Sequence, residues 1–206
     1  MSPSLLSKLI EVPVAVLDVE TTGSSPRRGD RVIEIGIARY ERGRCVERFG
    51  QLINPCRSVP DWITDLTGIT PLMLGDAPTF DEARHDVRER LAGAVLVGHN
   101  APFDLGFLDG EFRHVGSSLV ETVGAGAVVI DTVRLARRAF GRGGNRLQSL
   151  AARFKLPVGQ AHRALDDALV TAALLERLLE PTGWSSCLAD VLAAQGGVCR
   201  LPGLAA

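Results

Sequence analysis

Hydrophobic positions come in short unbroken runs over the first part of the chain and then alternate with runs of three- and four-residue periodicity. Residues 14–23 read Val-Ala-Val-Leu-Asp-Val-Glu-Thr-Thr-Gly, an apolar stretch that ends in two acids and a small polar turn. Such a stretch predicts a strand covered on both faces in the middle of an α/β sheet, because water would otherwise meet Val and Leu side chains. Residues 31–40 and 45–53 predict a second and third strand, joined by a turn at 41–44, so the first three strands form an antiparallel meander. Between 58 and 78, Pro60, Gly68, Pro71 and Gly75 allow only turns and short helices, around Trp62-Ile63 and Leu72-Met73-Leu74.

From residue 80 onward the period changes. Phe80, Ala83, Val87 and Leu91 mark one stripe of a helix over 80–91. Residues 95–97 predict a fourth strand, followed by Asn100 as a cap and Pro102 near the first helical position, so a helix is expected from about Phe103. A fifth strand at 128–130 runs into a helix over 132–140, and 141–144 is a break. Asn145 with Gln148 has the form of a capping box opening a helix to Phe154. After a loop at 157–161 comes the last long helix, 164–179, stopped by Pro181 and Gly183, with a short helix expected over 188–194. Three strands, a helix, and then alternating strand and helix imply an α/β fold with a mixed five-stranded sheet and helices on both faces. The expected organisation is a leader over 1–11, one domain over 12–182 and a tail over 183–206.

Composition narrows the classes. A chain of 206 residues with 46% hydrophobic and 23% charged positions suits one well-buried domain. It contains no apolar run of bilayer length and no signal-peptide pattern at its start, so a cytoplasmic location without a membrane partner is expected. Cys45, Cys56, Cys187 and Cys199 are scattered, without the spacing of a zinc site, and are expected as free thiols. The net charge of −1 argues against a broad basic coat. The residues from 131 to 163 nonetheless hold eight cations and one acid, Asp131. That segment is either a solvated face or a rim that contacts phosphates.

The chemistry rests on where acids interrupt apolar patterns. Asp18 and Glu20, two apart on a strand, share a face and are close enough to hold divalent cations between them; the alternative is a strand end running into solvent. On the helix over 164–179, Asp167 falls between Leu174 and Leu178 on the inward side, whereas Asp166 falls among Arg163, Glu176 and Arg177 and reads as solvated. An inward acid needs a metal, a cation or several donors. Asp104 projects between Phe107 and Leu108, in the first turn of its helix, where the helix dipole alone also favours a carboxylate. His162 stands five residues before Asp167, so the two reach one site only if His162 belongs to the preceding loop.

Three segments together carry a resemblance. Asp18-Val19-Glu20-Thr21-Thr22-Gly23, His99-Asn100-Ala101-Pro102-Phe103-Asp104 and His162-Arg163-Ala164-Leu165-Asp166-Asp167-Ala168 are similar, in order and separation, to the three-motif signature of the DEDDh exonucleases. The likeness spans about residues 12–180 and is nearest to the proofreading epsilon branch found with bacterial DNA polymerase III. It implies a ribonuclease-H-like sheet and two Mg²⁺ or Mn²⁺ ions held by Asp18, Glu20, Asp104 and Asp167. It assigns His162 as general base and Thr21, Thr67, Ile69, Asn100 and Phe103 to the substrate. The loop Thr67-Gly68-Ile69 departs from proofreading subunits that carry His before the Gly-Ile pair. The implied activity is metal-dependent 3′→5′ hydrolysis of single-stranded or frayed DNA ends to nucleoside 5′-monophosphates, in proofreading or repair, with a DNA polymerase catalytic subunit as candidate partner. Trimming of RNA 3′ ends, or binding an end without cutting it, are the alternatives.

Overall fold

The computed structural model describes residues 3–199, 201 and 202. Residues 1 and 2 of the expected leader, and 200 and 203–206 of the expected tail, lie outside the described residues. Along the chain run β1 (Val14–Thr21), β2 (Val32–Glu41), β3 (Arg44–Leu52), α1 (Asp61–Thr67), α2 (Pro71–Gly75), α3 (Phe80–Leu91), β4 (Val95–Gly98), α4 (Ala101–His114), α5 (Leu119–Val123), β5 (Val129–Asp131), α6 (Thr132–Phe140), α7 (Leu147–Phe154), α8 (Ala164–Leu178) and α9 (Leu188–Ala194). The strands form one sheet in the order β3-β2-β1-β4-β5. Pairing is antiparallel across β1–β2 and β2–β3 and parallel across β1–β4 and β4–β5. This is the mixed sheet that the order of apolar runs implied.

Strand alternation splits the core into two layers. Ala15, Leu17 and Val19 pack with Phe80, Leu91, Leu105, Phe107 and Phe112 of α3 and α4 on one face. Val14 and Val16 pack on the other face with Leu175 and Ala172 of α8 and with Leu188 and Val191 of α9. Asp18 and Glu20 continue the Val14–Val16 side, so β1 carries them to the face that α8 covers.

Four expectations need correction. The helix after β4 starts at Ala101, two residues early, because Pro102 is tolerated in a first turn whose N–H groups have no partner anyway. Asn100 does not cap it through its side chain; it sits in the left-handed region at φ +77 and donates its backbone N–H to Asp131 Oδ1, 3.0 Å away. Asn145 and Gln148 form no capping box. Helix α7 begins at Leu147 after an uncapped Arg146, Asn145 Nδ2 donates to Gly141 O, and Gln148 is drawn away by a charged acceptor on α8. A five-residue helix, α5, was not anticipated.

Described parts of the expected leader and tail pack on each other and on the sheet. Lys8 and Cys187 form an antiparallel bridge, Leu9 is buried with Trp184 and Leu188, and Trp184 stacks on Tyr40 at 4.9 Å between ring centroids. The four cysteines form no disulfide. Among the described residues no helix is long and apolar enough to cross a membrane.

Candidate active site

The site lies where β4 stops and β1 continues. The pairing of β1 with β4 ends at Val16, so on that side the later amides of β1 have no strand beside them, while β2 continues along the other edge. The first turn of α4 fills that place, and Asp104 Oδ1 accepts the Val19 N–H at 3.1 Å. This explains why a buried acid follows the His99-Asn100-Ala101-Pro102 turn: the carboxylate replaces the missing ladder acceptor.

Helix α8 approaches from the other face. Its first residues lie against Gly36, where a Cβ would stand 2.1 Å from the Ala164 carbonyl carbon, so only glycine allows the contact. Gly36 is the register partner of Asp18, and the helix is thereby set directly over the acids of β1. His162 precedes the helix with φ +60, and its backbone N–H donates to Asp167 Oδ2 at 3.0 Å. Gln148 Nε2 holds the other oxygen, Oδ1, at 2.8 Å. Asp167 is buried, and ligand atoms of Glu20, His162 and Asp167 lie within 4.8 Å of one another.

Asp18, Glu20, Asp104 and Asp167 therefore converge, and burial is the main cause that raises the pKa of each. For Asp18 the charges of Asp104, Glu20 and Asp167 add to it. Glu20 is pushed up to about 8 by burial and by Asp167 and Glu34, with Arg163 opposing. Among the described residues no protein hydrogen bond reaches the carboxylate of Asp18 or Glu20, whereas Asp104 and Asp167 are each held by amides. Crowded carboxylates of this kind, short of donors, are a donor set for hard divalent cations.

Two residues of the site escaped the reading of the sequence. Glu34 stands opposite Glu20 in the β1–β2 register, buried, and accepts from Arg163 at 2.7 Å and from the Ala164 N–H at 3.0 Å. Its signal was an acid between Ile33 and Ile35 in an apolar strand. Gln148 gave no such signal. Asp166 is also not simply solvated: it is half-buried and accepts the Gln160 N–H at 2.7 Å, which holds the loop leading to His162.

The five expected substrate residues divide. Asn100 is exposed and Phe103 half-buried against Phe107, 4.9 Å between ring centroids. Thr21 is buried and donates to Gly23 O. Thr67 donates to Ile63 O and accepts the Ile69 N–H, while Ile69 packs with Ile33, Ile63 and Leu74. The side chains of Thr67 and Ile69 are thus spent on their own turn.

Comparisons with known proteins point to one family. A family model described as "Exonuclease" (RNase_T) matches residues 15–175. The 3'-5' exonuclease DinG of Bacillus subtilis is 40% identical over 80% of this chain, which spans 17% of that relative. The DNA polymerase III subunit epsilon of Treponema pallidum is 39% identical over 82% of this chain and 77% of its own length. A solved structure of exonuclease X in complex with 5' overhanging duplex DNA superposes with a TM-score of 0.65 at 27% identity, covering 86% of this chain and 98% of that one. The chain spans less than a third of the length of the first four curated relatives it matches. With the family model running from β1 into α8, across every acid of the site, the chain belongs to the exonuclease (RNase_T) family.

Proposed function

We propose that this chain hydrolyses the terminal phosphodiester at the 3′ end of single-stranded or frayed DNA and releases nucleoside 5′-monophosphates. The observation that carries the reading is the convergence of four carboxylates at the open end of β1, Asp104 and Asp167 buried and Asp18 and Glu20 half-buried, the latter two short of donors among the described residues. Asp18, Glu20, Asp104 and Asp167 would hold two divalent cations, Mg²⁺ or Mn²⁺, since carboxylate oxygens suit both. Bound there, the cations supply charge stabilisation to a phosphodiester undergoing displacement.

The protein's own groups do the remaining work. His162, in a loop against Asp167 and Glu20, takes the proton of the attacking water as general base. Gln148 and the His162 amide keep both oxygens of Asp167 aimed. Asn100 and Phe103 face the terminal nucleotide from the start of α4. For Thr21, Thr67 and Ile69 the turn backbone rather than the side chain meets the substrate. The likeness to an epsilon subunit supports a proofreading or repair role beside a polymerase catalytic subunit.

Matched 5′-labelled DNA and RNA oligonucleotides, incubated with Mg²⁺, Mn²⁺ or EDTA, test the reading. Stepwise shortening from the 3′ end that needs a cation, faster on DNA, is the expected result. Much faster loss of RNA would move the substrate to RNA ends, and binding without cleavage in either cation would leave an end-binding module.

A further inference from the structure

From residue 132 to 165 the chain holds eight cations and no carboxylate, although its net charge is −1. The fold gathers part of this excess on one surface. Arg134, Arg137, Arg138 and Arg142 line an open cleft of about 570 Å³ whose far wall is Gln195 and Gly196. Arg137, Arg138 and Arg142 are exposed and have no ion-pair partner among the described residues. Three uncompensated guanidinium groups on about two turns of chain repel one another unless an anion lies between them.

The walls of the cleft are built, not incidental. Arg134 donates to the Gly196 and Val198 carbonyls at 3.1 and 3.4 Å, which spends its own donors on the wall. The buried Gln195 side chain completes the edge of β5, accepting the Asp131 N–H and donating to Val129 O. The opposite end is fastened to the active site. His99 Nε2 lies 2.8 Å from Asn145 O, so the loop that carries Arg142 is tied to the residue just before Asn100. Asp131 accepts both the Asn100 N–H and the Val133 N–H, which ties the start of α6 to the same turn.

We propose that this arginine cleft binds backbone phosphates of the nucleic acid several nucleotides upstream of the 3′ end being cut. The proposal rests on the nuclease reading for its choice of ligand. Guanidinium groups fit phosphate oxygens through paired N–H donors, and hydrogen bonds tie both the Arg142 loop and the start of α6 to the turn before α4, beside which a strand end at Asp104 would lie. An acidic protein segment offers the same charge without a reason to lie beside the catalytic turn.

The test is binding of fluorescent DNA of four and twenty nucleotides in EDTA, over a range of salt, by the parent and by Arg137→Ala/Arg138→Ala/Arg142→Ala. The variant should bind the longer strand roughly tenfold more weakly, with a salt slope lower by about two to three, as expected when that many phosphate contacts are lost. The four-nucleotide strand should be affected less than twofold, and lysine at the three positions should restore most of the affinity. Equal loss for both lengths, or no loss, overturns the proposal, and displacement of the long strand by polyglutamate as readily as by unlabelled DNA overturns it in favour of an acidic protein. A thermal melt checks folding, and Arg142→Glu alone, in the loop after α6, decides the matter if the triple variant melts early. Because binding is read without a cation, its outcome is separate from whether the parent cleaves a labelled strand in Mg²⁺ or Mn²⁺.

Discussion

Arg163 Nη2 lies 2.7 Å from Glu34 Oε1, and the pair joins the start of α8 to β2 directly beside Glu20. Glu34 is almost wholly buried while Arg163 keeps a third of its side chain exposed, so the two halves of the pair are not equivalent. Glu34→Gln keeps the shape and one acceptor for the Ala164 N–H but removes the anion. It should destabilise the protein by about 2 kcal/mol, since a buried charge-assisted contact is lost while Arg163 can still turn to water. Arg163→Met should be worse, because it strands an anion next to Asp18 and Glu20. Urea unfolding at neutral pH measures both, and equal midpoints for parent and Arg163→Met would show that the pair does not brace the site.

Gly36→Ala probes the same joint by volume. The added Cβ has no room against the Ala164 backbone, which cannot swing aside as a side chain tip would. We expect a loss of about 3 kcal/mol, the upper range for overpacking, together with reduced activity as His162 and Asp167 move away from Glu20. An alanine variant with the parent's melting temperature and turnover would mean that α8 is not seated by this contact.

Much of this was legible in the chain and some was not, for physical reasons. Asp18, Glu20 and Asp167 stood out because acids broke apolar patterns, and the two-residue and 3.6-residue periods alone say which side each faces. Glu34 broke its strand in the same way, between Ile33 and Ile35, yet it stands there singly rather than as one of two acids on a shared face, and its partner Arg163 is 129 residues away. Helix α5 did carry a local signature, Ser118 with Glu121 three residues on, which the structure uses as a capping box. Gln148 gave no signal because a glutamine on a helix edge is ordinary until the facing helix supplies an acid. The docking of Leu9 against Trp184 and Leu188 is likewise a tertiary event that no periodicity encodes.

His162 should act through its ring rather than as a fold element. Its backbone lies at φ +60, a region that asparagine enters with little strain, so His162→Asn is the variant that removes the imidazole and keeps the turn. We expect a rate about 10²–10⁴ lower under single-turnover conditions, with Mn²⁺ affinity near that of the parent. Because His162 lies close to both Glu20 and Asp167, a fall in Mn²⁺ affinity parallel to the fall in rate would instead make it a ligand.

Asp166 and Asp167 separate two kinds of acid. Asp167→Asn should abolish cleavage, since an amide lacks the charge to hold a divalent cation. Asp166 only accepts the Gln160 N–H, which an asparagine oxygen also does, so Asp166→Asn should keep most of the rate. Asp166→Ala should lose more, because the loop before His162 is then untied. If Asp166→Asn were the inactive variant and Asp167→Asn the active one, the assignment of α8's inward acid would be wrong.

The crowded carboxylates also set how stability depends on pH without metal. Glu20 has an ordinary value of 4.5 and is pushed up to about 8 in the fold, and Asp18, Asp104 and Asp167 are raised as well. In the window between these values the folded state binds more protons than the unfolded one, so stability falls as pH rises. His99 has the opposite sign: burial lowers it from its ordinary 6.5, so its contribution grows as pH rises toward that value. Between pH 6.5 and 8 the His99 contribution to the slope fades as the unfolded imidazole finishes losing its proton, the raised carboxylates outweigh it, and the melting temperature in EDTA should drop across that interval. Excess Mn²⁺ should remove the slope, since cations then neutralise the acids in place of protons, and at about a hundred times its Kd should add about 2.7 kcal/mol. Asp18→Asn should flatten the EDTA curve and shrink the gain from Mn²⁺. A melting temperature in EDTA that rises between pH 6.5 and 8 would mean that the four carboxylates are ionised and satisfied within the protein, and the case for a cation at the end of β1 would fall with it.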